Sequence, residues 1–182
     1  MLQRILRFAG AAATVFIAAW LLGLNFASRL MEGRSPRAAD LLSLSSSLPD
    51  GILHLDDGSS IRLHREIAGQ GMTAIIVFST RCGSCAGEAI VWKGLAKEFE
   101  SRLSIVAIAT TPDRRFLRSI IDDDATGIAV VRAGDELVPT LKATGLPTIY
   151  VVDSNRTVLF AAAGDRSTLQ LGDWIRRSSP PG

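Results

Sequence analysis

The first pattern in the chain is an apolar run. From Phe8 to Ser28 the sequence FAGAAATVFIAAWLLGLNFAS holds 21 positions without a charge. At about 1.5 Å per helical residue, that length matches a hydrocarbon layer of roughly 30 Å. Trp20 and Phe26 lie toward its far end, where aromatic rings favour the membrane interface. A cleaved signal peptide has a shorter apolar centre of about 7–15 residues, and no clean A-x-A site follows here. The pattern predicts one transmembrane helix, with residues 1–28 as an N-terminal membrane anchor. Residues 29–50 mix Arg, Ser and Pro with brief apolar pieces, which predicts a linker with one helical turn around Ala38–Leu44.

From Ile52 the period shortens. Ile52, Leu53 and Leu55 precede an Asp57-Gly58 turn signal, and Ile61 and Leu63 alternate after it, which predicts a β-hairpin. Thr73–Ser79 and Leu103–Thr110 are nearly continuous apolar runs, as in strands covered on both faces. Between them, Trp92, Leu95, Ala96 and Phe99 recur at helical spacing, predicting a helix over 83–101. Pro112 can open a further helix to about Ile121, followed by a short strand at Ile128–Val131. Leu137–Thr144 reads as a helix stopped by Gly145. Thr148–Val152 and Val158–Ala162 form a second hairpin, and Thr168–Arg177 is an amphipathic helix ahead of a polar tail, residues 178–182. Strands alternating with helices predict a three-layer α/β domain over 51–177, and the closing hairpin makes its sheet mixed.

Composition narrows the function classes. The chain of 182 residues suits one domain plus a leader. With 47% hydrophobic and 21% charged residues, it is not an extended disordered protein. Arg4 and Arg7 precede the apolar run, while all 18 acidic residues lie from Glu32 onward and balance the remaining basic ones. Without a basic excess, no nucleic-acid partner is expected. Arginines flank the apolar run on both sides, so charge alone does not orient it. A short basic N-terminus usually stays inside, which would leave the C-terminal domain extracytoplasmic.

The chemistry concentrates in Cys82-Gly83-Ser84-Cys85, placed where a buried strand ends and a helix begins. Free N–H groups and the helix dipole at that point favour an anion, so Cys82 is the expected nucleophile. Arg81 adds a neighbouring positive charge. Cys85, one turn later, can attack a mixed disulfide on Cys82 and resolve it. A structural disulfide would close a very short loop and contribute only about 2 kcal/mol. A metal site needs more ligands, and His54 and His64 are the only histidines, both upstream. A copper or zinc metallochaperone using the two thiols stays open as the alternative, with a non-catalytic binding module third.

The strand–CGSC–helix unit, followed by Thr144-Gly145-Leu146-Pro147-Thr148-Ile149 and VVDSNRTVLF, resembles the thioredoxin superfamily. The apolar leader and the hairpin before the cysteines make it most similar to the TlpA/ResA-like branch, to which MauD-like proteins are related. The resemblance covers residues 51–177 and implies a thioredoxin-like fold with an α-β insert between Cys85 and Pro147. It implies that Pro147 is cis and faces the cysteines, and that the backbone of Leu146 pairs with a substrate chain. Glu88 matches a glutamate common in that branch. The resemblance also implies protein thiol and disulfide substrates, a membrane-embedded electron donor, a reducing role and no cofactor. Three positions depart from the family. Arg81 stands where it usually has Trp, Ile90 where it has a helix proline, and Ile76 where thioredoxins bury an acid. The proton acceptor for Cys85 is thereby left open between Glu88 and water.

Overall fold

The computed structural model describes residues 40–55, 57–69, 71–111, 128–134 and 136–178. The expected anchor, the first half of the expected linker, the helix from Pro112 and the tail beyond Ser178 lie outside them. Among the described residues no helix is long and apolar enough to cross a membrane.

The expected hairpin forms from β1 (Ile52–His54) and β2 (Ser60–Arg62), with Gly58 at φ +84° in its turn. The remaining strands are β3 (Met72–Phe78), β4 (Leu103–Ala109), β5 (Ile128–Ala133), β6 (Thr148–Val152) and β7 (Val158–Ala163). All seven join one sheet in the order β2-β1-β5-β4-β3-β6-β7. β3, β4 and β5 run parallel, while β1 and β6 flank them antiparallel. The sheet is mixed, as the closing hairpin implies. β5, the strand of the insert, is what ties the hairpin to the central strands.

Period-two alternation splits the core across the sheet. Ala74, Ile76 and Phe78 of β3 face one way with Ile105, Ala107, Ile149 and Val151. The helices α2 (Cys85–Glu98) and α4 (Ser167–Ser178) cover that face, Trp92 and Leu171 being fully buried there. Ile75, Val77, Val106, Ile108 and Tyr150 face the other way. Among the described residues, two single turns, α1 (Leu63–Glu66) and α3 (Leu137–Thr140), and the segment around Leu41–Leu48 pack there.

That segment corrects the linker expectation. Leu41, Leu42 and Leu48 are buried, and the chain between them pairs with the edge of the second hairpin. Ser45 N–H donates to the Val158 carbonyl at 2.8 Å, Val158 N–H to Ser46 at 2.8 Å, and Leu48 N–H to Arg156 at 2.8 Å. The serines between the leucines mask the pattern, because they spend their backbone on strand pairing and face outward. The packed domain therefore includes the segment Leu41–Leu48, ahead of the expected start at residue 51. Smaller corrections have local causes. Leu63 opens a helical turn instead of extending β2. α3 ends at Thr140, short of Thr144, because Lys142 takes φ +51° and breaks the helical run. α2 starts at Cys85 and stops at Glu98, inside the expected span of 83–101.

Candidate active site

Register brings the sequence motifs to one end of the sheet. β3 ends at Phe78, so the loop Ser79–Ser84 emerges there and delivers Cys82 just ahead of α2. β6 is antiparallel to β3 with Thr148 opposite Val77, so its first residues lie at that same end. Leu146-Pro147 precedes Thr148, and the peptide bond between them is cis. Cys82 Sγ lies 3.7 Å from the Leu146 carbonyl oxygen. The Pro147 carbonyl is used elsewhere, accepting from Gly164 N–H at 2.9 Å.

Cys82 and Cys85 are joined as a disulfide, with Cα atoms 5.4 Å apart. Their environments differ. Cys82 is partly exposed and accepts from the Ser84 hydroxyl across 3.4 Å, while Cys85 is 0% exposed among Ile76, Phe78 and Ala89. Helix α2 begins at Cys85 itself, so Cys82 sits in the turn just ahead of it, with its own carbonyl accepting from Cys85 N–H. Arg81 is exposed, and its backbone N–H donates to Ser79 Oγ at 3.2 Å.

Hydroxyls hold this loop, a feature absent from the sequence reading. Thr111 Oγ1, just past β4, lies 2.9 Å from Thr80 Oγ1 and 3.3 Å from Ser79 Oγ, and accepts from Thr80 N–H. The available signal was positional. Residues following two adjacent parallel strands meet at the same sheet end.

Glu88 is not a surface carboxylate. Its Oε2 accepts a hydrogen bond from the Thr168 hydroxyl on α4, and Thr168 in turn accepts from the Trp92 indole N–H at 2.8 Å. Its Oε1 is shut off from solvent and has no partner. Burial pushes the Glu88 carboxyl above the usual carboxylate range, the Thr168 hydroxyl pulls it down, and the charge of Asp165 pushes it up. Ile76, where thioredoxins bury an acid, is fully buried and apolar.

The histidines belong to another region. His54 Nδ1 lies 2.9 Å from Ser60 Oγ on the hairpin, and His64 Nε2 donates to the Leu48 carbonyl at 2.8 Å. In the sheet order β1 is three strands from β3, roughly 14 Å at the usual spacing. Among the described residues no group of three His, Cys, Asp or Glu could hold a metal ion. A cavity of about 380 Å³ also lies at the hairpin, between Asp50, Ile52, His54, Arg62 and the Glu136–Leu137 corner. Its main charges are already paired, with Arg62 Nε 2.8 Å from Asp50 Oδ2.

Neither a protein-family model nor a curated protein sequence matches this chain. Solved structures do. A protein described as a thiol:disulfide interchange protein DsbE from Chlorobium tepidum superposes with a TM-score of 0.62 at 17% identity, covering 75% of this chain and 97% of its own. The thioredoxin domain of a thiol-disulfide oxidoreductase from Bacteroides vulgatus gives 0.59 at 16%, covering 74% and 99%. Peroxidoxin BcpB from Mycobacterium tuberculosis gives 0.60 at 22%, covering 76% and 99%. At these identities the likeness is one of fold. The domain has the thioredoxin-like fold, with a cysteine pair at the end of β3 and a cis-proline beside it.

Proposed function

We propose that this chain is a membrane-anchored thiol–disulfide oxidoreductase that reduces disulfides of protein partners, with its domain outside the cytoplasm. The observation that carries the exchange chemistry is the asymmetry of the pair. Cys82 is partly exposed beside the Leu146 carbonyl, and its bonded partner Cys85 is fully buried. In the reduced protein the Cys82 thiolate attacks one sulfur of a partner disulfide, and the other partner sulfur leaves with the electron pair and takes a proton. The Cys85 thiolate then attacks Cys82 Sγ, closing the disulfide and releasing the second partner thiol. A membrane-embedded dithiol donor would return the pair to its reduced form. The anchor reading rests on the charge-free run from Phe8 to Ser28. The extracytoplasmic reading adds that disulfides persist in oxidising compartments.

The test is trapping in cells. Cys85→Ala should accumulate mixed disulfides between Cys82 and its partners, and Cys82→Ala should accumulate none. Equal trapping by both variants would overturn the assigned order of attack. Acid quenching and thiol alkylation should find the wild-type pair mainly reduced, and a fully oxidised pool would end the reducing role. A reporter fused after Gly182 should be active only outside the cytoplasm. His54→Ala and His64→Ala should leave exchange intact, since neither histidine stands at the cysteines; tight stoichiometric copper or zinc binding by a wild-type chain that shows no exchange would favour the copper or zinc metallochaperone.

A further inference from the structure

Three loops lie at the end of the sheet where the cysteines are, and each carries an exposed cation. Arg81 immediately precedes Cys82, with its Cα about 3.8 Å from that of the cysteine. Arg166 lies two residues after Gly164, whose N–H donates to the Pro147 carbonyl at 2.9 Å. Lys142 lies four residues before Leu146, whose carbonyl oxygen is 3.7 Å from Cys82 Sγ. Among the described residues none of these three side chains has a carboxylate partner, whereas Arg62 is held by Asp50 and Arg176 by Glu98.

The carboxylates of the region do not cancel this charge. Glu88 turns Oε2 to the Thr168 hydroxyl and has Oε1 shut off from solvent. Asp50 and Glu136 line the hairpin cavity instead. In loops 79–84, 141–147 and 163–166 the only acid is Asp165, so three cations stand against one anion. Beyond the leader the chain as a whole is balanced, which makes the excess a local one. Arg81 is also preorganised. Its N–H donates to Ser79 Oγ at 3.2 Å and the Cys82 N–H donates to the Ser79 carbonyl at 3.1 Å, which fixes the backbone while the guanidinium reaches solvent. A guanidinium presents a planar fork of donors that matches a carboxylate.

We propose that Arg81, together with Lys142 and Arg166, selects protein partners whose disulfide is flanked by aspartate or glutamate. This deepens the exchange reading by giving the partner a chemistry, and it rests on that reading. For Cys82 to attack, a partner sulfur must sit beside it. That brings the residues next to the sulfur within a Debye length, roughly 8 Å, of the Arg81 backbone. Carboxylates there are attracted and ammonium groups repelled, so both signs contribute to the discrimination. The bonds made and broken are those of the exchange itself.

The experiment uses the reduced full chain in a non-ionic detergent and three disulfide-bonded peptides. The peptides are identical except that the residues flanking their cysteines are Asp, Asn or Lys. Peptide reduction is followed by chromatography. Each rate is divided by that of mercaptoethanol on the same peptide, which removes differences in intrinsic reactivity. At about 0.01 M salt, where charges act over roughly 30 Å, the Asp peptide should be reduced about tenfold faster than the Asn peptide, and the Lys peptide about tenfold slower. At about 1 M salt the three rates should converge. Arg81→Gln should lower the Asp-over-Lys ratio about tenfold, and Arg81→Lys should keep most of it. Arg81→Gln combined with Lys142→Gln and Arg166→Gln should abolish it. Arg156→Gln, exposed at the opposite end of the sheet, should leave it unchanged. Equal rates for the three peptides at low salt, or a preference indifferent to salt or to the triple substitution, would overturn the inference. The salt dependence of the wild type keeps it testable should the triple variant fold poorly. A wild-type chain that reduces none of the peptides would overturn the exchange reading itself, and this inference with it.

Discussion

Leu48→Ala tests where the folded domain begins. Leu48 is 1% exposed and packs with Leu41, Tyr150, Val152 and Val158, while Leu44, four residues earlier, is 62% exposed. Removing a buried leucine side chain forfeits its transfer free energy and leaves a cavity, together about 2–5 kcal/mol. The strand residues around Leu48 are fixed by sheet pairing and cannot collapse far, which places this site at roughly 3–4 kcal/mol. For a domain of this size each kcal/mol moves the melting temperature by about 4 °C, so a drop of roughly 12–16 °C is expected. Leu44→Ala should move it by no more than about 2 °C, since exposed substitutions stay within roughly 0.5 kcal/mol. Thermal unfolding of the full chain, followed by tryptophan fluorescence, measures both. The hydrogen bond from His64 to Leu48 uses the backbone carbonyl and survives the substitution. If the two variants melt together, the segment is a tether and the reasoning from burial fails.

Two further predictions address the hairpin and α2. Burial pushes Asp50 up, but the His64 amide, the Arg62 side chain and the Gly51 amide outweigh it and hold its carboxyl below the usual range. A depressed folded value contributes stability that is fully present above the ordinary aspartate pKa of about 3.9 and lost as pH falls through the folded one. Asp50→Asn should therefore melt below wild type at neutral pH, with a gap that narrows toward pH 3; a gap that widens on acidification refutes this. A Cβ on Gly134 would stand 2.9 Å from the Ile52 carbonyl oxygen, whereas one on Gly94 in α2 meets nothing within 4 Å. Denaturant titrations should show Gly134→Ala costing about 1–3 kcal/mol and Gly94→Ala gaining about 0.5–1 kcal/mol. Equal effects would mean that the close approach of β1 to Gly134 does not constrain the fold.

The central strands were legible because burial on both faces leaves an unbroken apolar run, and 103–110 or 148–152 has no other comfortable reading. The cysteine turn was legible for a related reason: strand, small residues and helix succeed one another without a gap. Legibility failed where backbone pairing substitutes for side-chain pattern. Leu41–Leu48 reads as a polar tether because only its leucines face inward, and its remaining hydrogen bonds are made by the main chain. The short α3 reads too long because Lys142 takes a left-handed conformation that its own residue type does not announce.

Glu88 shows the same limit at the site. From α2 alone it is a carboxylate in the first turn of a helix, a position that dipole and solvent both favour. What changes its character is burial, and its hydrogen-bond partner is Thr168, 80 residues later, on a helix whose own pattern explains itself by amphipathicity. Trp92 compounds this. At helical spacing with Leu95 and Phe99 it reads as core, which it is, and its ring lies edge-on to Phe78 with centroids 5.6 Å apart. The same burial obliges its N–H to find an acceptor, and a buried threonine supplies one. The aromatic packing thus fixes the hydroxyl, the hydroxyl holds one carboxyl oxygen, and the other oxygen is buried without a partner. A periodic pattern can announce that Trp92 is buried, but the hydrogen-bond partner of a buried indole is a tertiary fact.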